Sequence, residues 1–463
     1  MAIDRASPDD MMALASDRGA VVPLQIGVLL QLDPEHGVAA SRMLDVLGRR
    51  AAAVPRLRQL LAPTPVGCGR PIWVEDRDFT PGRHLDTLAV RPFEPRVGDH
   101  AAPEDPCLDA LAALVLDRLP RDRPPWRARV LLDPSGAAVA VAVVLHHVLA
   151  DGVGGLALLA ALLDPTPSAA GRPSGRGEEV GADRPTPRAL ARDAWSERRR
   201  AVAALPAFLV RLRRGARELG LGTPHRVPPT SLLAPTGARR RVDVVDVPLA
   251  AVVEAGRRDG ATVNDEVLVA VAGALGRLLA SRGESLDQLV VSVPVSGRPA
   301  GRGGELGNAV GVLPVRIRLD GDRRSRLADV RAQRRRLPAG AGRGSSVRLM
   351  SPVFRALASV GLFQLFIGHQ RLVHTFETNV RGPSGPLSLA GATVRRAVPV
   401  AVNPGNVTVS FDVLSAAGRL VVSIVSDPDR VPDHEVLRSA LRDELTRESP
   451  LGSCHGNGAA PAG

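Results

Sequence analysis

The sequence predicts a chain of mixed strands and helices, long enough for two large domains. Three observations carry that expectation. The chain has 463 residues, 44% of them apolar, enough to bury more than one sizeable core. Val139–Leu145 is an unbroken apolar run rich in Val, the pattern of a strand buried on both faces. Strand-like and helix-like patterns then recur in the second half. Arg241–Pro248 alternates with period two, and Leu249–Asp259 follows at helical spacing.

Composition narrows the class. There are three Cys, at 68, 107 and 454, with no CxxC pair. A disulfide framework or a zinc site is therefore not expected, and a reducing, cytoplasmic setting is. The start, MAIDRASPDDMM, lacks the apolar core of a secretory signal. No stretch reaches the ~18 apolar residues of a membrane-spanning helix. Net charge is +12, carried by Arg with no Lys at all. Such a surface attracts anions: phosphate groups of small molecules, anionic lipid headgroups or nucleic acid. An aromatic content of 2% with no Tyr argues against platforms for stacking bases, so nucleic acid is not an expected partner.

The chemistry is expected where the Val139–Leu145 strand ends. His146 and His147 follow it, then Asp151 and Gly152, and Gly152, Gly154 and Gly155 break the pattern before a helix at Leu156–Leu163. A buried strand that ends in titratable groups sets them on a rigid support. Neutral His is the usual general base near neutral pH. Neighbours on a strand face opposite ways, so one of the pair should meet a given cavity.

The other elements read in order. Ser7-Pro8-Asp9-Asp10 is a turn and helix cap before Met11–Leu14. Val22–Leu32 is a strand, 38–51 a helix closed by Pro55–Gln59, and Ile72–Val74 a short strand. Residues 107–119 form an amphipathic helix. The Pro-rich turn Asp122-Arg123-Pro124-Pro125-Trp126 offers either a rigid pocket wall or a packing Trp at a strand start. Asp164–Pro187 is loop-like, rich in Pro, Gly, Ser and Arg, and Gly220–Pro235 is loop-like again. Between them Arg188–Leu219 is an Arg-rich helix with a kink at Pro206. Its apolar stripe, Trp195 and Val202 through Leu219, either packs on the domains or lies on an anionic membrane or lipid droplet surface. Thr262–Ser281 is a helix whose start suits Asn264 and Asp265 as caps, Leu289–Ser296 and Val310–Leu319 are strands, and Ser351–Thr378 carries a long apolar helical stretch. Asn406–Leu414 and Leu420–Asp427 pair as late strands. The divisions are 1–163, a linker and crossover helix 164–238, a second domain 239–446, and a disordered tail 447–463.

His146-His147-x-x-x-Asp151-Gly152 resembles the HHxxxDG motif of the CoA-dependent acyltransferase superfamily. Further stretches choose among its members. The SPxD start, Pro55-Arg56-Leu57-Arg58-Gln59, Ile72–Phe79 with His84, and the Pro124-Pro125-Trp126 element are similar to those of the bacterial wax ester synthase/diacylglycerol acyltransferase family. So are Asn264-Asp265, Pro294–Arg298, Gly307-Asn308 and Asn379-Val380-Arg381-Gly382-Pro383. They fall in the family's order from about residue 6 to about residue 445. Departures are Pro125 for the family's Leu, Arg381 for its Pro, Thr378 for its Ser, and no Asn at Thr230–Arg239.

The resemblance implies an α/β fold of two chloramphenicol acetyltransferase-like domains with mixed sheets, and a substrate tunnel between them. It implies acyl transfer from acyl-CoA to diacylglycerol or a long-chain alcohol, with His147 as general base and no cofactor, since the thioester is already activated. His146 would brace the motif, Asp151 would pair with Arg298, and Gly152 would leave room at the channel. Asn264 would stabilise the oxyanion, Trp126 and Pro124 would wall the pocket, and His84 would be structural. The competing readings are a condensation-type acyltransferase fed by a carrier protein, and an inactive lipid-surface protein.

Overall fold

The computed structural model describes residues 3–90, 105–165, 185–203, 206, 210, 226–296, 310–336, 357–358, 361–402 and 405–447. The first half runs α1 (Pro8–Asp17), β1 (Gln25–Leu32), β2 (Val38–Ala39), α2 (Ala40–Ala53), β3 (Gln59–Ala62), β4 (Ile72–Glu75), β5 (Leu85–Ala89), α3 (Pro106–Leu116), β6 (Trp126–Leu132), β7 (Ala137–His146), α4 (Gly152–Leu162) and α5 (Pro187–Ala203). The second runs β8 (Arg241–Pro248), α6 (Leu249–Asp259), α7 (Val263–Ser281), β9 (Gln288–Ser296), β10 (Val310–Arg318), α8 (Arg323–Arg336), α9 (Phe363–Gly368), β11 (Thr375–Arg381), β12 (Leu387–Leu389), β13 (Ala392–Ala401), β14 (Val409–Ala416), β15 (Arg419–Ser426) and α10 (His434–Thr446).

Two mixed sheets organise these elements. The first has the order β12-β13-β1-β7-β6-β5, with β2 also on β7; the second is β10-β9-β11-β14-β15-β8. In the first sheet β5 and β6 are parallel; in the second β11 is parallel to both β9 and β14. The remaining pairings are antiparallel. The mixed α/β architecture is as expected.

The strand β7 is buried on both faces, as its unbroken Val/Ala run requires. Val141, Val143 and Leu145 join a core with Leu30, Leu158 and Leu162. Ala140, Ala142 and Val144 face α3 through Leu111 and Val115. Small Ala alternating with Val lets the sheet sit close to the helix while filling the space. The second core forms between α7 and its own sheet, where Leu268, Val271 and Leu275 pack with Phe411, Val422 and Ile424.

The two halves share strands. β12 and β13 belong by sequence to the second half yet complete the first sheet, with β13 pairing β1 from Ile26↔Ala401 to Leu32↔Val394. Asp164, just past α4, anchors the turn between them by accepting from the amides of Ala390 (3.1 Å) and Gly391 (2.9 Å) and from Arg50 (2.6 Å). Nothing in the local pattern of 387–401 announces this exchange, because a strand's periodicity reports which faces are buried and not which sheet buries them.

Several local expectations change. The helix expected at Leu156 begins at Gly152, since Asp151 caps it and so the three glycines lie in its first turn. The helix at 263–281 is capped by Thr262, not Asn264. Thr262 and Asp265 exchange side-chain-to-backbone bonds in a full capping box, a geometry that needs a hydroxyl three residues before the acid. Thr375–Thr378 is strand and not helix; its β-branched and aromatic residues suit a pleated surface. In α5 the packed face is Leu190 and Ala194, while Trp195 and Val202 of the expected stripe stand exposed. Arg5 holds that packed face by bonding Asp193 (2.5 Å) and the Leu190 carbonyl (2.8 Å). Arg298, the Gly307-Asn308 pair, the whole of the stripe beyond Val202 and the tail from 448 lie outside the described residues.

Candidate active site

A cavity of about 410 Å³ lies between the two sheets. Its first wall is α1, β1, the end of β7 and α4; its second is β9, β10, β11 and β14, with β13 along the seam. The lining is mainly apolar. Its ionisable groups among the described residues are Asp9, His147 and Asp412.

The two histidines separate as strand alternation demands. His147 is half-buried and lines the cavity, its backbone amide held by the Leu24 carbonyl at 3.1 Å. His146 turns away and is 7% exposed. Its Nδ1 accepts the Val148 amide at 3.0 Å, which leaves the proton on Nε2. That Nε2 points to the Asp17 carboxylate, 3.5 Å away at the end of α1.

Asp17 is buried and collects donors. It accepts from the Leu24 amide (3.0 Å), Arg118 (3.1 Å) and Arg121 (2.7 Å). Burial alone would raise its pKa. The bonds from His146, the Leu24 amide and Arg121 override that and hold the carboxyl well below the usual carboxylate range. An ionised Asp17 thus fixes both the Leu24 turn and the His146 ring, and through them the backbone on which His147 sits. Sequence reading missed it, because a lone Asp near the end of a helix carries no spacing signal.

The rest of the motif is built for close approach. Asp151 is fully buried, and its Oδ1 accepts the Gly154 amide at 2.8 Å. A Cβ on Gly152 would stand 3.1 Å from the Val380 methyl and 3.9 Å from that of Thr378, both on β11. Gly152 is therefore where the motif meets the second sheet, and Val there would collide with Val380.

The remaining expected site residues divide. Trp126 is both pocket wall and packing residue: it lines the cavity, donates its indole N–H to Leu57 (2.7 Å) and stacks on His84 at 4.5 Å. His84 is buried, with Nδ1 3.0 Å from the Trp126 carbonyl, and burial lowers its pKa. Pro124 is buried behind this wall and is not part of the lining. Asn264 sits half-buried in the first turn of α7, outside the described lining.

The second wall holds what sequence reading did not find. Asp412, 3% exposed in mid-strand, lines the cavity. Its Oδ2 accepts the Ala401 amide of β13 at 2.7 Å, and it hydrogen-bonds Thr378. Burial pushes its carboxyl up to about 7. Glu377, on the opposite face of the adjacent strand, is pushed up to about 8, by burial first and then by the nearby Asp412. Alternating strands normally announce their polar face. Here Ser410, Asp412 and Ser423 read as ordinary solvent-facing positions, and only the sheet-to-sheet contact buries them.

Two family models cover most of this chain. The wax ester synthase/diacylglycerol acyltransferase catalytic domain matches residues 7–267, and the C-terminal domain of the same family matches 306–447. The chain belongs to that family. Among its relatives, one of Mycobacterium tuberculosis named "probable diacylglycerol O-acyltransferase tgs1" is 31% identical over 443 residues, covering 94% of this chain and 93% of the relative. In fold the chain is similar to the wax ester synthase/diacylglycerol acyltransferase of Marinobacter aquaeolei VT8, with a TM-score of 0.65 at 19% identity over 96% and 98% of the two chains. It is also similar to the first condensation domain of the calcium-dependent antibiotic synthetase, with a TM-score of 0.61 at 18% identity over 96% of each chain. The HHxxxDG loop of this family member therefore stands where one sheet ends against another.

Proposed function

We propose that the protein transfers a fatty acyl group from acyl-CoA to the free hydroxyl of diacylglycerol, with long-chain alcohols as a second acceptor. The observation that carries this reading is the position of His147. It stands at the end of a rigid strand, in the wall of an apolar cavity between two sheets, while its neighbour is turned away onto Asp17. An apolar cavity suits acyl chains, and a single imidazole suits removal of one proton.

The step balances with these two substrates alone. His147 takes the proton of the acceptor hydroxyl as its oxygen bonds to the thioester carbonyl carbon. The tetrahedral intermediate collapses, the carbon–sulfur bond breaks, and the CoA thiolate takes the proton back from the imidazolium. The thioester is itself the activated acyl donor. Asp151 shapes the loop as the cap of α4, with Arg298 as its proposed ionic partner. Peripheral contact with an anionic membrane or lipid droplet is part of the proposal. Its support is the outer face of α5, where Trp195 (61% exposed) and Val202 (70%) stand among Arg198, Arg199 and Arg200. Among the described residues no helix is long and apolar enough to cross a membrane.

The test is a panel of substrates with the purified full chain. Palmitoyl-CoA is offered with diacylglycerol or hexadecanol, and a palmitoyl-carrier protein replaces the CoA donor in a third arm. CoA release with formation of triacylglycerol is expected. Turnover only from the carrier-bound donor would replace this reading with a condensation-type one.

A further inference from the structure

A tunnel for acyl chains needs no ionisable group in its wall, and burying one costs free energy. This cavity nevertheless carries a carboxyl in the middle of β14, facing the HHxxxDG loop from the other sheet. Asp412 is held at two points: the Ala401 amide donates to Oδ2 at 2.7 Å, and Thr378 hydrogen-bonds the same carboxyl. The Thr378 methyl lies 3.9 Å from where a Cβ of Gly152 would stand. The carboxyl is therefore one side chain away from the motif that carries His147.

Its chemical state matters. The Asp412 carboxyl is pushed up to about 7 by burial, so near neutral pH a large share carries a proton. A carboxylic acid kept neutral in an apolar site can donate a hydrogen bond to a substrate oxygen. In the remainder of the lining, the side chains able to hydrogen-bond are few: Asp9, Ser16, Trp126, His147, Ser292 and Thr378. Of these, Asp9 and Ser16 belong to α1 and Trp126 is already committed to Leu57.

We propose that Asp412 selects the acceptor: its carboxyl hydrogen-bonds an ester carbonyl of a diacylglycerol while His147 holds the reacting hydroxyl. The inference rests on the acyl-transfer reading above and deepens it. In diacylglycerol an ester oxygen lies a few bonds from the free hydroxyl, so one molecule carries both groups into the cavity that His147 and Asp412 line. A long-chain alcohol has a hydroxyl and nothing for Asp412 to meet. Asp412 thus favours glycerolipid over wax ester formation, and acts on acceptor choice without touching the transferred proton.

The test compares kcat/KM for dioleoylglycerol and hexadecanol at fixed palmitoyl-CoA, in the full-length wild type, Asp412→Leu and Asp412→Asn. The ratio of the two values is read, because loss of folded protein cancels from it. In Asp412→Leu the diacylglycerol/hexadecanol ratio should fall about tenfold, the worth of one hydrogen bond. In Asp412→Asn, whose amide can donate, it should stay within about threefold of wild type. Asp412→Val takes the place of the Leu variant if that chain does not fold. Where wild type does not acylate hexadecanol, its inhibition constant against dioleoylglycerol replaces its kcat/KM. An unchanged ratio in the apolar variants, whether activity falls on both acceptors or on neither, overturns the proposal and leaves the acyl-transfer reading standing. A wild type that releases no CoA with either acceptor overturns both.

Discussion

The two sheets that enclose the cavity present their chemistry in different ways. In the first, β7 stays apolar along its length and presents chemistry at its end, at His146. The second threads acids through the middle, with Glu377 on β11 and Asp412 on β14. Their carboxyls differ accordingly. Asp17, beside the first sheet, is met by an amide, two Arg and an imidazole, and stays ionised. Asp412 is met by an amide and a hydroxyl, and burial raises it. One residue type thus takes two charge states in one site, set by the donors around it. An ionised carboxylate can hold a backbone and a ring in place, whereas a neutral one can offer a proton to a ligand.

The largest expected effect tests the first wall. His147→Ala should lower turnover by ~10²–10⁴-fold with the fold intact, as loss of a general base does. His146→Ala should cost less, because that ring acts through the backbone it braces. Steady-state rates with palmitoyl-CoA and circular dichroism of both variants decide it. A dead His146→Ala beside a nearly wild-type His147→Ala would reverse the assignment of faces.

A smaller effect is expected one step behind, at Asp17. Asp17→Asn keeps the shape and removes the charge, leaving Arg118, Arg121 and His146 short of an acceptor. Loss of such a buried charged partner costs on the order of 1–3 kcal/mol. The folded carboxyl is held below its ordinary value. Its stabilisation is therefore present above the unfolded pKa of about 4 and is lost as pH falls through the acid range below it. Urea unfolding near pH 7 should show the variant less stable than wild type, with the gap closing toward pH 3. A constant gap across that range would mean that the charge does not matter.

The contrast also explains what was legible. The HHxxxDG loop could be read because it combines a doubly buried strand, two imidazoles and glycines in one short stretch. Val139–Leu145 needs a sheet with both faces covered, whatever else the chain does. The separation of His146 from His147 follows from strand alternation alone. Asp17, Asp412 and the β12–β13 exchange could not be read in this way. Each depends on a partner more than ten residues away in sequence: His146 for Asp17, Ala401 for Asp412, and β1 for β13. The local rule for an Asn-Asp pair at a helix start is capping, and it is Thr262 with Asp265 that makes the cap. A site role for Asn264 comes from the family resemblance alone, and the helix it opens packs behind the second sheet.

The last effect expected concerns Glu377, which is buried behind the second wall, and it is read as a difference between two pH slopes. Its carboxyl is pushed up to about 8 in the folded chain from an ordinary 4.5, by burial first and by Asp412 second. The folded state therefore binds a proton that the unfolded chain has released. The sign is opposite to that of Asp17: the contribution is full below about pH 4.5 and is lost as pH rises toward about 8. Above that range the wild type carries a buried anion with Asp412 beside it. Glu377→Gln has no proton to lose, so its melting temperature should fall less than wild type's between about pH 5 and pH 9, by roughly 2–6 °C for a chain of this size. Some slope should remain in the variant, because Asp412 still titrates, and the two groups titrate jointly while both are present. Scanning calorimetry over that range makes the comparison. Parallel curves for wild type and variant would place the Glu377 titration outside the range, and would remove the electrostatic link between the two acids of the second sheet.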